Sequence, residues 1–139
     1  MSYLLDTNVI SELRKSSAMV NPNVGAWARD HDLDSMFLSA ISVYELELGI
    51  ARKQRANPGH ATKLREWFDG VVLPMFRGRI LALDDNAARL AAPMGVPDPR
   101  PLADCLIAAT AISHGLAVVT RNVADFYDLG VAVINPWEP

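Results

Sequence analysis

Tyr3-Leu4-Leu5-Asp6-Thr7-Asn8 decides the reading of this chain. Three apolar or aromatic residues run straight into an aspartate, a threonine and an asparagine. Val9-Ile10-Ser11-Glu12-Leu13 then follows with helical periodicity. The pattern predicts a short buried strand, a polar turn and a helix from Asn8 to about Arg14. In open parallel α/β sheets, ligands bind just beyond the carboxyl ends of the strands. A carboxylate at the tip of the first strand is therefore well placed for chemistry. Asp6 also has an ordinary reading, in which it orients the turn while Thr7 or Asn8 caps the helix.

Outward from this stretch, strands and helices alternate. Val24 to His31 carries Val24, Trp27 and Ala28 at helical spacing. Met36-Phe37-Leu38 reads as a second strand. Ser42-Val43-Tyr44-Glu45 matches a capping box at the start of a helix that runs to about Arg55. Asn57-Pro58 restarts a helix, and Leu64, Trp67, Phe68, Val71 and Val72 share one side of the stretch from His60 to Phe76. Arg79 to Leu83 reads as a third strand, with a helix opening at Asp84-Asp85. Pro93, Pro97, Pro99 and Pro101 mark a loop. Leu102 to His114 is an apolar helix stopped by Gly115. Ala117-Val118-Val119 and Val131-Ala132-Val133-Ile134 are a fourth and a fifth strand, and the tail Pro136 to Pro139 is expected to be loose or to lie on the surface. The alternation predicts an α/β fold, a three-layer α/β/α sandwich on a parallel sheet of about five strands.

Composition narrows the function. A chain of 139 residues suffices for one domain, taken as residues 1–139, and half of the residues are hydrophobic. A net charge of −3 argues against a generally basic, nonspecific nucleic-acid binder and leaves a local basic patch open. One cysteine, Cys105, excludes an internal disulfide and fits a reducing cytoplasm. No signal peptide is expected, and no stretch approaches the roughly 18 apolar residues of a membrane span.

Three further acids fall at corresponding places. Glu45 is expected in the first turn after strand two, Asp104 in the first turn after the proline-rich loop, and Asp125 just beyond strand four. A parallel sheet would open all of these on one edge, where Asp6, Glu45, Asp104 and Asp125 converge. Carboxylates that close repel one another and must protonate or share cations. An all-oxygen donor set suits Mg²⁺ or Mn²⁺ better than zinc. Such ions pair with phosphate oxygens and assist phosphodiester hydrolysis. Each acid also has a bland role: Glu45 completing a capping box, Asp104 favouring a helix dipole, Asp125 capping a short turn. Asp104 is the hardest to dismiss, because Leu102, Ala103, Leu106, Ile107, Ala108 and Ala109 around it read as buried, where a charge needs a partner.

Four ordered blocks carry a resemblance across nearly the whole chain. They are Leu5-Asp6-Thr7-Asn8-Val9-Ile10, Ser42-Val43-Tyr44-Glu45-Leu46-Glu47-Leu48-Gly49, Leu102-Ala103-Asp104-Cys105-Leu106-Ile107-Ala108-Ala109-Thr110-Ala111 and Val119-Thr120-Arg121-Asn122-Val123-Ala124-Asp125-Phe126. With these the chain resembles the PIN-domain family, and within it the VapC/FitB-like toxins of bacterial toxin–antitoxin pairs. The resemblance implies a Mg²⁺- or Mn²⁺-dependent endoribonuclease using metal-activated water. It gives Asp6, Glu45 and Asp104 as the core acidic triad and Asp125 as the fourth, more variable acid. Thr7, Asn8, Thr120 and Asn122 fall at supporting positions. It also implies a homodimer, blocked by a small VapB/FitA-like antitoxin that itself supplies the contact with DNA.

Arg52, Lys53, Arg55, Lys63 and Arg65 cluster after Glu45, where they either hold RNA phosphates or form a solvated helix face; the second reading is favoured for most of them. Arg121, beside the acids, is the better contact for a phosphate or an antitoxin carboxylate. Trp27, Trp67 and Phe68 read as packing. His31, His60 and His114 have no metal-ligand spacing. Two rival functions are weighed against the ribonuclease. One is a catalytically silent module of the same fold, acting with an antitoxin in a repressor complex; four intact acids count against it. The other is a phosphatase of the haloacid dehalogenase kind, which needs a second aspartate where Asn8 stands.

Overall fold

The computed structural model describes all 139 residues. Five strands, β1 (Tyr3–Leu5), β2 (Met36–Ser39), β3 (Ile80–Leu81), β4 (Ala117–Val119) and β5 (Val133–Ile134), form one sheet in the order β3-β2-β1-β4-β5. All four pairings are parallel, with Tyr3 opposite both Met36 and Ala117, and Leu5 opposite Val119. Order runs outward from β1 to β3, and the chain then returns to β4 on the other side of β1. The reversal makes the β1/β4 boundary the topological switch point, the crevice where parallel sheets take ligands.

Alternate residues of the central strands point to opposite faces. Leu5, Tyr3 and Val119 join one core with Val9, Ile10, Leu46 and Phe68, supplied by helices α1 (Thr7–Leu13), α3 (Ala40–Ala56) and the segment after α4 (Pro58–Trp67). Leu4 and Val118 join the opposite core with Ile107, Ala108 and Ala111 of α7 (Leu102–Ser113). Helix α2 (Pro22–Arg29) adds Trp27 to the first core. Helix α6 (Asp85–Ala91) packs Ala87 and Ala91 against Cys105 and Ala109 of α7. Both faces are covered, which gives the expected three-layer α/β/α sandwich and explains why the strands are apolar throughout.

Several boundaries differ from expectation. Helix α3 starts earlier: Ser39 is its N-cap, its Oγ accepting from the Ser42 amide at 3.1 Å. No Ser42–Glu45 capping box forms, and Glu45 sits in the second turn instead. Asp6, rather than Thr7 or Asn8, caps α1, its carboxylate accepting from the Thr7 amide at 2.8 Å. Strands β3 and β5 are two residues each because they are the edges, with one neighbour to pair with. The expected helix over 60–76 is broken by a π turn at Phe68–Val72, followed by the single turn α5 (Leu73–Met75). Pro74 lacks the amide a regular helix needs there, and a wider turn ahead of it absorbs the misfit. The tail is not loose: Asn23 Nδ2 donates to the Trp137 carbonyl at 2.8 Å, and Trp137 packs on the first core.

Phe68 is completely buried at the centre of the first core. Phe68→Ala is expected to cost about 3–5 kcal/mol of unfolding free energy. Urea denaturation measures it, and a loss below about 1 kcal/mol would contradict the packing described.

Candidate active site

The site is built at the switch point. The Asp6 amide continues the β1–β4 ladder by donating to the Val119 carbonyl at 2.9 Å. This holds the Asp6 side chain against the first residue beyond β4, Thr120. Asp6 is buried, and burial raises its carboxyl pKa above the ordinary carboxylate value. Hydrogen bonds oppose that rise. The Thr120 hydroxyl donates to Asp6 Oδ2 at 2.7 Å, the Thr7 amide to Oδ1 at 2.8 Å, and Asn8 Nδ2 to Oδ2 at 3.2 Å.

Thr120 is itself fully used. Its one proton goes to Asp6, and its oxygen accepts from Asn8 Nδ2 at 3.2 Å and the Asn122 amide at 3.0 Å. Asn8 Oδ1 accepts from the Arg121 amide at 3.2 Å. The turn after β4 is thereby tied to the start of α1, and no buried side-chain nitrogen or oxygen lacks a partner.

Glu45 reaches the site from the second turn of α3, where Oε1 accepts from the Thr7 hydroxyl at 2.7 Å. Asp104 stands in the first turn of α7 and is only half-buried. Its carboxyl is pushed up to about 6, first by burial and then by the negative charges of Asp125, Asp6 and Glu45; Arg100 opposes the shift. Asp6, Glu45 and Asp104 line one open cavity of about 540 Å³, together with Arg121 and Asn122. Asp125 is exposed and lies outside that lining, yet its charge bears on both Asp6 and Asp104. No three His, Cys, Asp or Glu side chains are drawn together as a ready-made cation cage.

The donor chemistry nonetheless fits a hard cation. The acids offer oxygen ligands only, and Asp104 carries the repulsion of three neighbouring carboxylates. Mg²⁺ needs only one or two protein carboxylates and keeps its remaining ligands as water, so an open arrangement is compatible with it.

Other residues were not legible as part of the site. Ser11, Arg14 and Lys15 of the α1 region line the cavity, and so does Trp137 from the tail. Arg121 lies over the Trp137 ring, 5.4 Å from its centroid. Ser11 and Arg14 follow Thr7 at intervals of four and seven, a helical spacing that marks one face; nothing local flags Trp137. Glu12 also borders the cavity, but its oxygens are occupied by Lys15 Nζ and the Asn21 amide, each at 2.9 Å. Hydrogen bonding to Lys15 and then to that amide holds its carboxyl below the usual range. Arg100 anchors the segment bearing Asp125 by donating to the carbonyls of Asp125 and Tyr127, both at 3.1 Å. Arg52 is exposed on α3 and lines no part of the cavity. Leu102, expected to be buried beside Asp104, is 72% exposed; it opens α7 directly after the exposed Pro101, and burial begins only at Cys105.

An acidic crevice at the switch point of a five-stranded parallel sheet defines the class, and the chain belongs to the PIN-domain family: residues 3–131 match the PIN domain model. It is 38% identical over 141 residues to the VapC ribonuclease Y4jK of Sinorhizobium fredii, covering 98% of each chain. It is 40% identical to Toxin FitB of Neisseria gonorrhoeae, over 96% of this chain and 97% of that one. Among solved structures, FitAcB from Neisseria gonorrhoeae superposes with a TM-score of 0.86 at 39% identity, covering 99% of each chain. FitAB bound to an IR36 DNA fragment also gives 0.86, at 38% identity, over 99% of this chain and 96% of that chain.

Two outcomes follow from the electrostatics. Thr120→Val removes the proton donated to a buried carboxylate and is expected to cost about 1.5–3 kcal/mol. Chemical denaturation reads the loss, and side-chain NMR titration is expected to show the Asp6 carboxyl moving further up. For Asp104 the folded carboxyl, at about 6, lies above its ordinary value of 3.8, so the folded state holds a proton that the unfolded chain releases. Stability of the metal-free protein should therefore fall as pH rises from about 4 through 6. Asp104→Asn should remove that dependence and gain about 1 kcal/mol at pH 7 after allowance for solvent screening. Thermal melts across pH test the sign; an unchanged slope in the variant would refute the assignment.

Proposed function

We propose that this protein is a toxin of a toxin–antitoxin pair, a metal-dependent endoribonuclease that hydrolyses RNA phosphodiester bonds. One observation carries the reading. Carboxylates from three remote segments face one cavity at the switch point, and their mutual repulsion contributes to raising the Asp104 carboxyl to about 6. The relatives at about 40% identity, one a VapC ribonuclease and the other Toxin FitB, support it.

Asp6, Glu45 and Asp104 would hold Mg²⁺ or Mn²⁺, with Asp125 adding charge from the rim. When bound, such an ion supplies Lewis-acid polarisation of a phosphoryl oxygen and lowers the pKa of water. The chain supplies the positioning. Thr120, Asn8 and the Thr7 amide fix the Asp6 carboxylate in one orientation. The Thr7 hydroxyl fixes Glu45. Arg121, stacked on Trp137, presents its guanidinium to a phosphate at the cavity wall. In the net reaction a water oxygen bonds to phosphorus, the bond to the leaving ribose oxygen breaks, and that oxygen takes up a proton.

The partner is a small antitoxin of the VapB/FitA kind, and the active form is a homodimer. The solved FitAB assembly, 38% identical and bound to a DNA fragment, supports the first part. Contact with DNA then comes through the antitoxin. A catalytically silent repressor module is disfavoured, since all four carboxylates are present and three of them line one cavity.

Asp6→Asn and Asp104→Asn are each expected to lower Mg²⁺-dependent cleavage of total RNA by about a thousandfold, roughly 4 kcal/mol of barrier. Melting curves check that the fold survives. Full cleavage by either variant removes that residue from the reaction, and no cleavage by the unmutated protein with Mg²⁺ or Mn²⁺ removes the ribonuclease reading.

A further inference from the structure

Arg100 closes the proline-rich loop ahead of α7 and stands four residues before Asp104. A guanidinium among several acids would ordinarily pair with one of them. Arg100 forms no salt bridge. Its Nη2 instead donates both of its protons to backbone carbonyls, those of Asp125 and Tyr127. Its charge is still felt at Asp104, where it opposes the rise of the carboxyl.

The segment it grips needs holding. Asp125 lies on α8 (Val123–Phe126), a single turn with no side-chain cap. A helix that short is not stable by itself. Its other hydrogen bonds are local: the Asp125 amide donates to the Asn122 carbonyl at 3.0 Å, the Tyr127 amide to Ala124 at 3.4 Å and the Leu129 amide to Phe126 at 3.3 Å. Asp128, next in the chain, takes a left-handed φ of 66°, which a residue other than glycine keeps only where its surroundings hold it. Phe126 is buried in the core beneath α7 and anchors the turn in depth. Apolar burial is non-directional, so that plug alone leaves the turn able to rotate and carry Asp125 along the rim. The two bonds from Arg100 oppose the rotation. They also tie α8 to the start of α7, the helix that bears Asp104.

Gripping backbone rather than side chains leaves the acids unoccupied. Asp6 and Glu45 accept hydrogen bonds from Thr120 and Thr7. The carboxylates of Asp104 and Asp125 accept none. We propose that Arg100 is a positioning residue: by clamping the Asp125 and Tyr127 carbonyls to the start of α7, it holds the Asp125 carboxylate beside Asp104, both unpaired and available to a divalent cation. The inference rests on the reading of the acids as a metal centre and adds the residue that sets the place of the fourth acid.

Charge and geometry predict opposite signs. Removing a cation from an acidic centre should, by charge alone, tighten binding of a second cation. Removing a clamp should loosen it. The test is Mn²⁺ binding to the full chain, read from the electron paramagnetic resonance of free Mn²⁺. Arg100→Gln is expected to weaken binding about tenfold, the usual loss when a group that orients a metal ligand is removed. Asp125→Asn should also cost about tenfold. The double variant should stay near tenfold rather than reach about a hundredfold, because Arg100 acts through Asp125. Arg89→Gln, the same charge change on exposed α6, should match the unmutated protein.

A second readout needs no metal. Amide exchange at Tyr127 and Leu129 should speed up about tenfold in Arg100→Gln, with the fold retained in melting curves. Mn²⁺ binding by Arg100→Gln that equals or exceeds that of the unmutated protein would overturn the inference. So would additive losses in the double variant, no loss from Asp125→Asn, or unchanged exchange at the turn. RNA cleavage is scored separately. Mn²⁺ binding with these dependences but no cleavage would sink the ribonuclease reading alone, and cleavage with Mn²⁺ affinity independent of Arg100 would sink the clamp alone. No Mn²⁺ binding by the unmutated protein would remove both.

Discussion

The hydrogen bond from the Thr120 hydroxyl to the buried Asp6 carboxylate, 2.7 Å long, is the constraint on which the candidate site depends. A carboxylate removed from water carries a desolvation penalty of several kcal/mol. It is tolerated here because every nearby donor is committed to it or to its partners. Thr120 gives its proton and takes two hydrogen bonds in return, from Asn8 and from the Asn122 amide. The same few contacts fix the turn after β4 against the start of α1, across the boundary where strand order reverses. Register and site geometry are therefore one problem: a one-residue slip of β4 against β1 would place Thr120 away from Asp6 and turn its hydroxyl to the other face.

Around this hydrogen-bonded anchor the remaining acids are less compensated. Glu45 has a single hydroxyl donor, from Thr7, and Asp104 faces the charges of Asp125, Asp6 and Glu45 with Arg100 as its opposing cation. Repulsion of this kind works against folding and favours anything cationic that enters the cavity. The fold accepts the cost in one small region because two apolar cores, one on each face of the sheet, are fully packed. Positions that would be optimised for stability in an inert domain are held here under mutual repulsion.

Much of this was legible in the sequence, for identifiable reasons. Strands β1, β2 and β4 announce themselves because both faces of a central parallel strand are apolar, and the four acids fall where such strands end or the following helices begin. Local chemistry was ambiguous elsewhere. Ser39 and Ser42 are equally good caps, and only the extended backbone at Ser39, set by the end of β2, decides between them. Edge strands were overestimated because nothing in Arg79–Leu83 or Val131–Ile134 reveals how far one neighbour can pair. Of the two readings of the tail, loose or lying on the surface, the sequence could not choose, because its anchor, the Asn23 side chain, lies 114 residues away. Arg14 and Trp137 were missed for the same reason: a cavity wall is assembled by packing, and neither residue sits in a motif.

The basic cluster after Glu45 shows how packing sorts residues that sequence leaves equivalent. Arg52, Lys53, Arg55, Lys63 and Arg65 read as one patch along the chain. In three dimensions Arg65 is a bidentate partner of Glu47 with Asp69 alongside, and its charge is spent within the fold. Lys53 alone of the five lines a groove that begins at Glu45. A protein of net charge −3 cannot attract a polyanion by its overall field. Attraction has to come from a few unpaired cations at short range, within about a Debye length of 8–10 Å. Arg14, Lys53 and Arg121 flank the acids from two sides without neutralising them. On the proposed reading, such an arrangement would draw phosphate close while leaving the carboxylates free to bind a cation.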